Sequence, residues 1–207
     1  MENAPGTVRP GGRTARVRAA VLDAAGDALA EHGFTGFDLA EVAQRAGVGK
    51  TTVYRRWGSA TALVADLLAD MAEQSEPRSD HGALLDDLRA NARLVRRTLT
   101  DPRQSRLFRA VIAAASCDPS AADALHRFYV VRIEEWAPCV ELAVQRGELP
   151  AGTDAHEVVR AVSAPLYYRF LASGDPLDEA AADRAAEAAV AAAKAGVFVR
   201  GFRGLRG

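Results

Sequence analysis

The chain has 207 residues, 49% of them apolar and 26% charged, with 26 Lys and Arg against 27 Asp and Glu and a net charge of −1. That balance belongs to a folded globular chain and excludes both a disordered polar segment and a protein that coats nucleic acid over its whole surface. No apolar run of about 18 residues occurs and the N-terminus has no apolar signal core, so neither a membrane span nor export is expected, and the expected compartment is the cytoplasm.

Residues 1–12, with Pro5, Gly6, Pro10, Gly11 and Gly12 and almost no apolar content, predict a flexible arm. From about Thr14 to His32, Val17, Ala20, Val21, Ala24, Ala28 and Leu29 recur at helical spacing, and Gly33 suits the left-handed position that ends a helix. Asp38, followed by Leu39, Val42, Ala43 and Ala46 with Glu41 three residues on, predicts a capped short helix ending at Gly47. A second short helix, Lys50 to Trp57, has Val53 and Trp57 one turn apart as its apolar side. Two short helices joined through a glycine-bearing turn have the form of a helix-turn-helix. Ser59 can cap a further helix through Leu63, Leu67 and Leu68 to about Ser75, and Pro77 breaks it. Longer helices are expected at about 81–100, 103–116, 119–147, 154–173 and 178–199, separated by Pro102, Pro119, Gly147, Gly152, Gly174 and Pro176. Strand-like alternation is absent, so the expected class is all-α. The predicted division is an arm (1–12), a helix-turn-helix domain of three helices (13–58), a connecting helix (59–76), a helical second domain (77–200) and a Gly- and Arg-rich tail (201–207).

The positive charge is unevenly placed: Arg13, Arg16 and Arg18 precede most of the acids, and Lys50, Arg55 and Arg56 form a second cluster on the short helix. Leu39 to Trp57, with Gly33, Phe34 and Leu63, resembles the DNA-binding segment of the TetR family of regulators, strongly over about residues 14–70. The resemblance implies that Gly49, Lys50, Thr51, Thr52, Tyr54, Arg55 and Ser59 meet double-stranded DNA. Side-chain chemistry agrees, giving Lys50 and Arg55 guanine or phosphate, and Thr51, Thr52 and Tyr54 phosphate or a thymine methyl. Asp38 and Ala60 depart from the Thr or Ser and the Lys common at these positions in the family. Asp38 therefore serves as a cap alone, and Arg13, Arg16 and Arg18 are expected to add phosphate or minor-groove contacts. Gly47-Val48-Gly49-Lys50-Thr51-Thr52 imitates the end of a phosphate-binding loop, but Gln44 stands where that motif needs glycine and a helix precedes it instead of a strand.

Beyond residue 77 the resemblance rests on helical layout, on Arg146 to Leu149 and on Pro165 to Arg169, and it implies a domain for ligand binding and dimerisation. The candidate ligand residues are Phe108, Ile112, Phe128, Tyr129, Arg132, Trp136, Cys139 and Tyr168, which suggest a mostly apolar small-molecule effector; the same aromatic spacing also suits an ordinary core. Val158, Val162, Leu166 and Phe170, with Ala185 and Ala189, are candidates for a homodimer interface, with an intrachain core as the alternative. Cys117 and Cys139 lack disulfide or metal spacing and are expected to be reduced core residues; no metal site, cofactor or catalytic arrangement is expected. The expected function is a transcriptional regulator, a repressor released from a palindromic operator by its effector. The alternative is a helical small-molecule binding protein or enzyme that keeps a vestigial helix-turn-helix.

Overall fold

The computed structural model describes residues 11–78 and 81–200, and all of its regular structure is helical apart from one isolated bridge between Thr153 and Val199. Residues 1–10 of the expected arm (1–12) and the expected tail (201–207) lie outside the described residues. The helices are α1 (Gly11–His32), α2 (Leu39–Arg45), α3 (Lys50–Trp57), α4 (Ala60–Gln74), α5 (Leu84–Thr100), α6 (Pro102–Ala115), α7 (Pro119–Gln145), α8 (Ala155–Tyr168) and α9 (Glu179–Lys194). Helix α1 begins at Gly11, inside the segment expected to be a loose arm.

The chain forms two compact units, the described part of Met1–Met71 with Arg106–Leu125, and that of Ala72–Ser105 with His126–Gly207. In the first unit the α1 stripe of Val21, Leu22, Ala25 and Leu29 is closed to solvent, as are Val42 and Ala43 of α2, Val53 of α3 and Leu63 of α4. Leu107, Phe108 and Val111 of α6 complete this core. Burial of these stripes, rather than local propensity, holds such short helices in place, because helices of two turns are marginal alone.

In the second unit α9 packs against both α5 and α8. Ala182, Ala185, Ala186, Ala189 and Ala193 are buried, and such small side chains let the neighbouring helices approach closely. Val158, Val162 and Leu166 are wholly buried and Phe170 nearly so within the single chain. The stripe expected to meet a second copy is therefore already used: together with Ala185 and Ala189 it is intrachain core, sealed by α9 and α5. Helix α8 continues into a π-helical turn at Arg169–Ser173, one turn after Pro165, which can offer no backbone donor. Helix α9 stops at Lys194 rather than 199 because Gly196 turns left-handed, at φ 79°, and Arg200 then pairs with Asp154, the N-cap of α8, at 3.0 Å.

Candidate functional site

In the first unit, the Asp38 carboxylate accepts from the Ala40 N–H at 2.9 Å and starts α2. Glu41 does not reach back to close a capping box; it pairs with Arg45 at 2.6 Å and lies 3.2 Å from His32 Nε2. The α2–α3 turn passes through Gly47, whose φ of 66° is hard for any side-chain-bearing residue, and is closed by the Val48 N–H donating to the Ala43 carbonyl at 3.0 Å. Helix α3 then starts on Gly49, which offers no side-chain cap, so the Lys50 and Thr51 amides keep their donor capacity, while the Thr52 N–H donates to the Gly49 carbonyl at 2.9 Å.

Val53 and Trp57 pin α3 to the core, and Lys50, Thr51, Tyr54 and Arg55 are exposed on its other side, with Thr52 half-buried. The exposed residues form a donor-rich surface on a rigidly anchored helix, as reading of a groove requires. Ser59 lies at the start of α4, where its hydroxyl accepts from the Ala62 N–H at 3.1 Å. Arg56 stacks its guanidinium over the Trp57 ring, 5.0 Å from the centroid.

Arg18 has a structural role that its sequence position does not suggest. Its guanidinium grips Asp66 at 2.7 Å and Asp70 at 2.5 Å, two carboxylates one turn apart on α4. The same Asp66 accepts from the Trp57 indole N–H at 2.9 Å. Burial alone would push the Asp66 carboxyl up, but the hydrogen bonds from Arg18 and Trp57 outweigh it and hold the group below the ordinary carboxylate range. These paired acids engage the guanidinium of Arg18, which makes it a joint between α1, α3 and α4. Arg13 and Arg16 remain exposed, Arg16 donating to the Gly12 carbonyl at 3.2 Å.

The eight candidate ligand residues are divided between the two units. Phe108 is core and Ile112 half-buried in the first unit, while the other six belong to the second. There Phe128, Tyr129 and Tyr167 form an edge-to-face chain with centroids 5.4 and 5.5 Å apart. Tyr168 is 64% exposed and stands outside this cluster; Tyr167 is the inward member of the pair. The signal was present: Glu157, Arg160, Ala164 and Tyr168 follow one another at three- and four-residue steps, and the charges on that stripe mark it as the outward face. Cys139 is buried and its thiol, donating to the Trp136 carbonyl, is pushed up to about 12 by burial. Cys117 is exposed rather than core, because it follows the last turn of α6.

Helix α5, which the sequence left without a role, carries a ladder to α9. Arg89 meets Glu187 at 2.6 Å, Arg93 meets Asp183 through a two-pronged contact at 2.9 Å, and Arg96 meets Glu179 at 3.4 Å. The matching four-residue spacing of the acids at 179, 183 and 187 was the sequence signal for this antiparallel register. Beside the ladder lie two clefts. One, of about 340 Å³, is lined by His81, Asp86, Arg89, Ala90 and Arg93; the other, of about 270 Å³, lies among Glu76, Pro77, Arg93, Leu94, Arg97 and Trp136. Trp136 is 1% exposed, and its indole N–H has no hydrogen-bond partner among the described residues. Arg132 donates to the Glu76 carbonyl at 3.3 Å. The described residues hold no cluster of His, Cys, Asp and Glu suited to a metal ion, and no described helix is long and apolar enough to cross a membrane.

Residues 21–67 match the family described as bacterial regulatory proteins, tetR family, and residues 78–189 match the tetracyclin repressor-like C-terminal domain. The chain is 30% identical to the uncharacterized HTH-type transcriptional regulator YdeS of Bacillus subtilis, over 77% of this chain and 81% of that one. It is 32% identical to the DNA-binding transcriptional repressor TetR of Mycobacteroides abscessus, over 78% of this chain and 85% of that one. Among solved structures, the TetR family transcription regulator SCO0332 superposes with a TM-score of 0.70 at 28% identity, covering 85% of this chain and 97% of that one.

Proposed function

Since the chain belongs to the TetR family and is a transcriptional regulator with a DNA-binding helix-turn-helix, we propose that it is a repressor. In this proposal it acts as a homodimer in the cytoplasm, reads a palindromic operator, and is released by a small-molecule effector bound in the second unit. The observation that carries the DNA half is the exposed face of α3, Lys50, Thr51, Tyr54 and Arg55, held by Val53 and Trp57 and preceded by the uncapped amides after Gly49. Two such faces related by a two-fold axis read half-sites about 34–36 Å apart, or a multiple of that, which is why the functional species is a dimer.

The residues first expected at the dimer interface are buried within one chain, so the interface falls on other faces of the same helices. Ala164, Pro165, Tyr168 and Leu171 beside α8's buried stripe, and Ala188, Ala191 and Ala195 along α9, are exposed and mostly apolar. Exposed apolar side chains on two packed helices suit a second copy of this chain, which offers the same surface across a two-fold axis.

Selection of the purified protein against a random duplex pool tests the proposal. The expected result is recovery of an inverted repeat, occupied by two chains. Recovery of no shared sequence would leave the helix-turn-helix without a reading function.

A further inference from the structure

We propose that the cleft between Pro77, α5 and Trp136 is an effector subsite for a small planar carboxylate, a single ring bearing one acid group. The proposal rests on the repressor reading above, in that it names the chemistry of the effector. An indole N–H can only donate, and Trp136 is buried with no acceptor among the described residues, so whatever completes it must bring an acceptor. The walls divide by chemistry: Pro77, Leu94 and the Trp136 ring are apolar, and Arg93 and Arg97 present guanidinium forks suited to a carboxylate. The cleft, about 270 Å³, is near the lower end of ligand-pocket sizes, around 300 Å³, which suits one ring and not a polycyclic drug.

Both arginines are already neutralised by acids that a ligand could replace. Arg97 pairs with Glu76 at 2.5 Å, and Arg93 with Asp183 of α9. An incoming carboxylate competes with these acids for the same donors and draws Arg93 out of the α5–α9 ladder. Occupancy of the cleft is thereby coupled to how tightly α9 is held, and α9 carries part of the proposed dimer face. The apolar effector expected from sequence lacks a group to satisfy either the indole or the guanidinium forks.

The test titrates full-length protein with benzoate and with benzamide, its neutral counterpart, by calorimetry, while the tryptophan indole resonances are followed by ¹H–¹⁵N NMR. Benzoate should bind at least about tenfold more tightly than benzamide, because only the anion gains charge-assisted bonds. The indole resonance missing from Trp136→Phe should move with benzoate. Arg97→Gln, a change at an exposed position, should erase the preference for the anion without depending on whether Trp136→Phe folds. Equal affinity for the two compounds, no binding of benzoate, or full preference retained in Arg97→Gln would each overturn the proposal. The wild-type samples are also titrated with operator DNA in the absence of either compound. Operator binding without carboxylate discrimination removes this inference alone, whereas absence of operator binding removes the repressor reading itself.

Discussion

Helix α3 of the first unit and helix α5 of the second treat their basic residues in opposite ways. On α3, Lys50 and Arg55 are exposed and form no ion pair among the described residues, although acids are available elsewhere in the same unit and hold Arg18 and Arg45. On α5, Arg89, Arg93, Arg96 and Arg97 each face a carboxylate supplied by α9 or by the segment after α4. Charge paired within a unit fixes helices against each other; charge left without a partner on an anchored helix is available to an anion from outside. Composition cannot make this distinction, since both sets are simply basic residues on helices. It depends on which acids the fold brings near.

The largest expected effect falls on the unpaired set. Lys50→Ala with Arg55→Ala should weaken operator binding by roughly 100-fold or more, at about 1–3 kcal/mol for each base-edge contact, with the urea midpoint unchanged. A variant pair that binds like wild type would mean that these charges are solvated ornaments. Next is the joint that separates Arg18 from the reading set. Asp66→Ala leaves Arg18 with Asp70 alone and strands the Trp57 N–H, and should cost about 1–2 kcal/mol in urea unfolding, less than a fully buried pair because about a quarter of each side chain meets water.

Acid sharpens the same point. The Asp66 carboxyl is held below its unfolded value, so its contribution is fully present above about pH 4 and is lost as pH falls through the folded value; Asp66→Asn should flatten that acid limb of the stability curve. Arg13→Gln with Arg16→Gln should reduce affinity for all DNA sequences alike and lower the salt slope by about one for each phosphate that goes unneutralised, an effect visible only in a salt titration. The smallest change belongs to the ladder: Asp183→Asn should move the thermal midpoint by no more than about 2 °C, and the shift should vanish in high salt, because exposed ion pairs are weak and screened.

The helix-turn-helix was legible because its information is local. A cap at Asp38, a glycine at 47 and an apolar pair at Val53 and Trp57 fix α2, the turn and α3 within twenty residues, and the structure places each in that role. The pairing of Arg18 was not legible because its partners, Asp66 and Asp70, lie 48 and 52 residues away, and no count of charge near the N-terminus reveals them. The same limit governs the second unit. Helical periodicity identified Val158, Val162 and Leu166 as one apolar stripe but could not say whether α9 of the same chain or a second chain would cover it. Aromatic residues stood out in the sequence as pocket candidates, while the clefts of the second unit are bordered by α5 arginines to which the sequence reading gave no role.

The central claim is that α3 reads sequence. It is tested most directly by fluorescence anisotropy of wild type and of the Lys50→Ala, Arg55→Ala pair on the selected duplex and on a scrambled duplex, at two salt concentrations. Wild type is expected to prefer the selected duplex by about 10³-fold or more, and the double variant to keep only weak, salt-sensitive binding equal on both. Equal affinity of wild type for the two duplexes, or a preference that survives the double substitution, would contradict it.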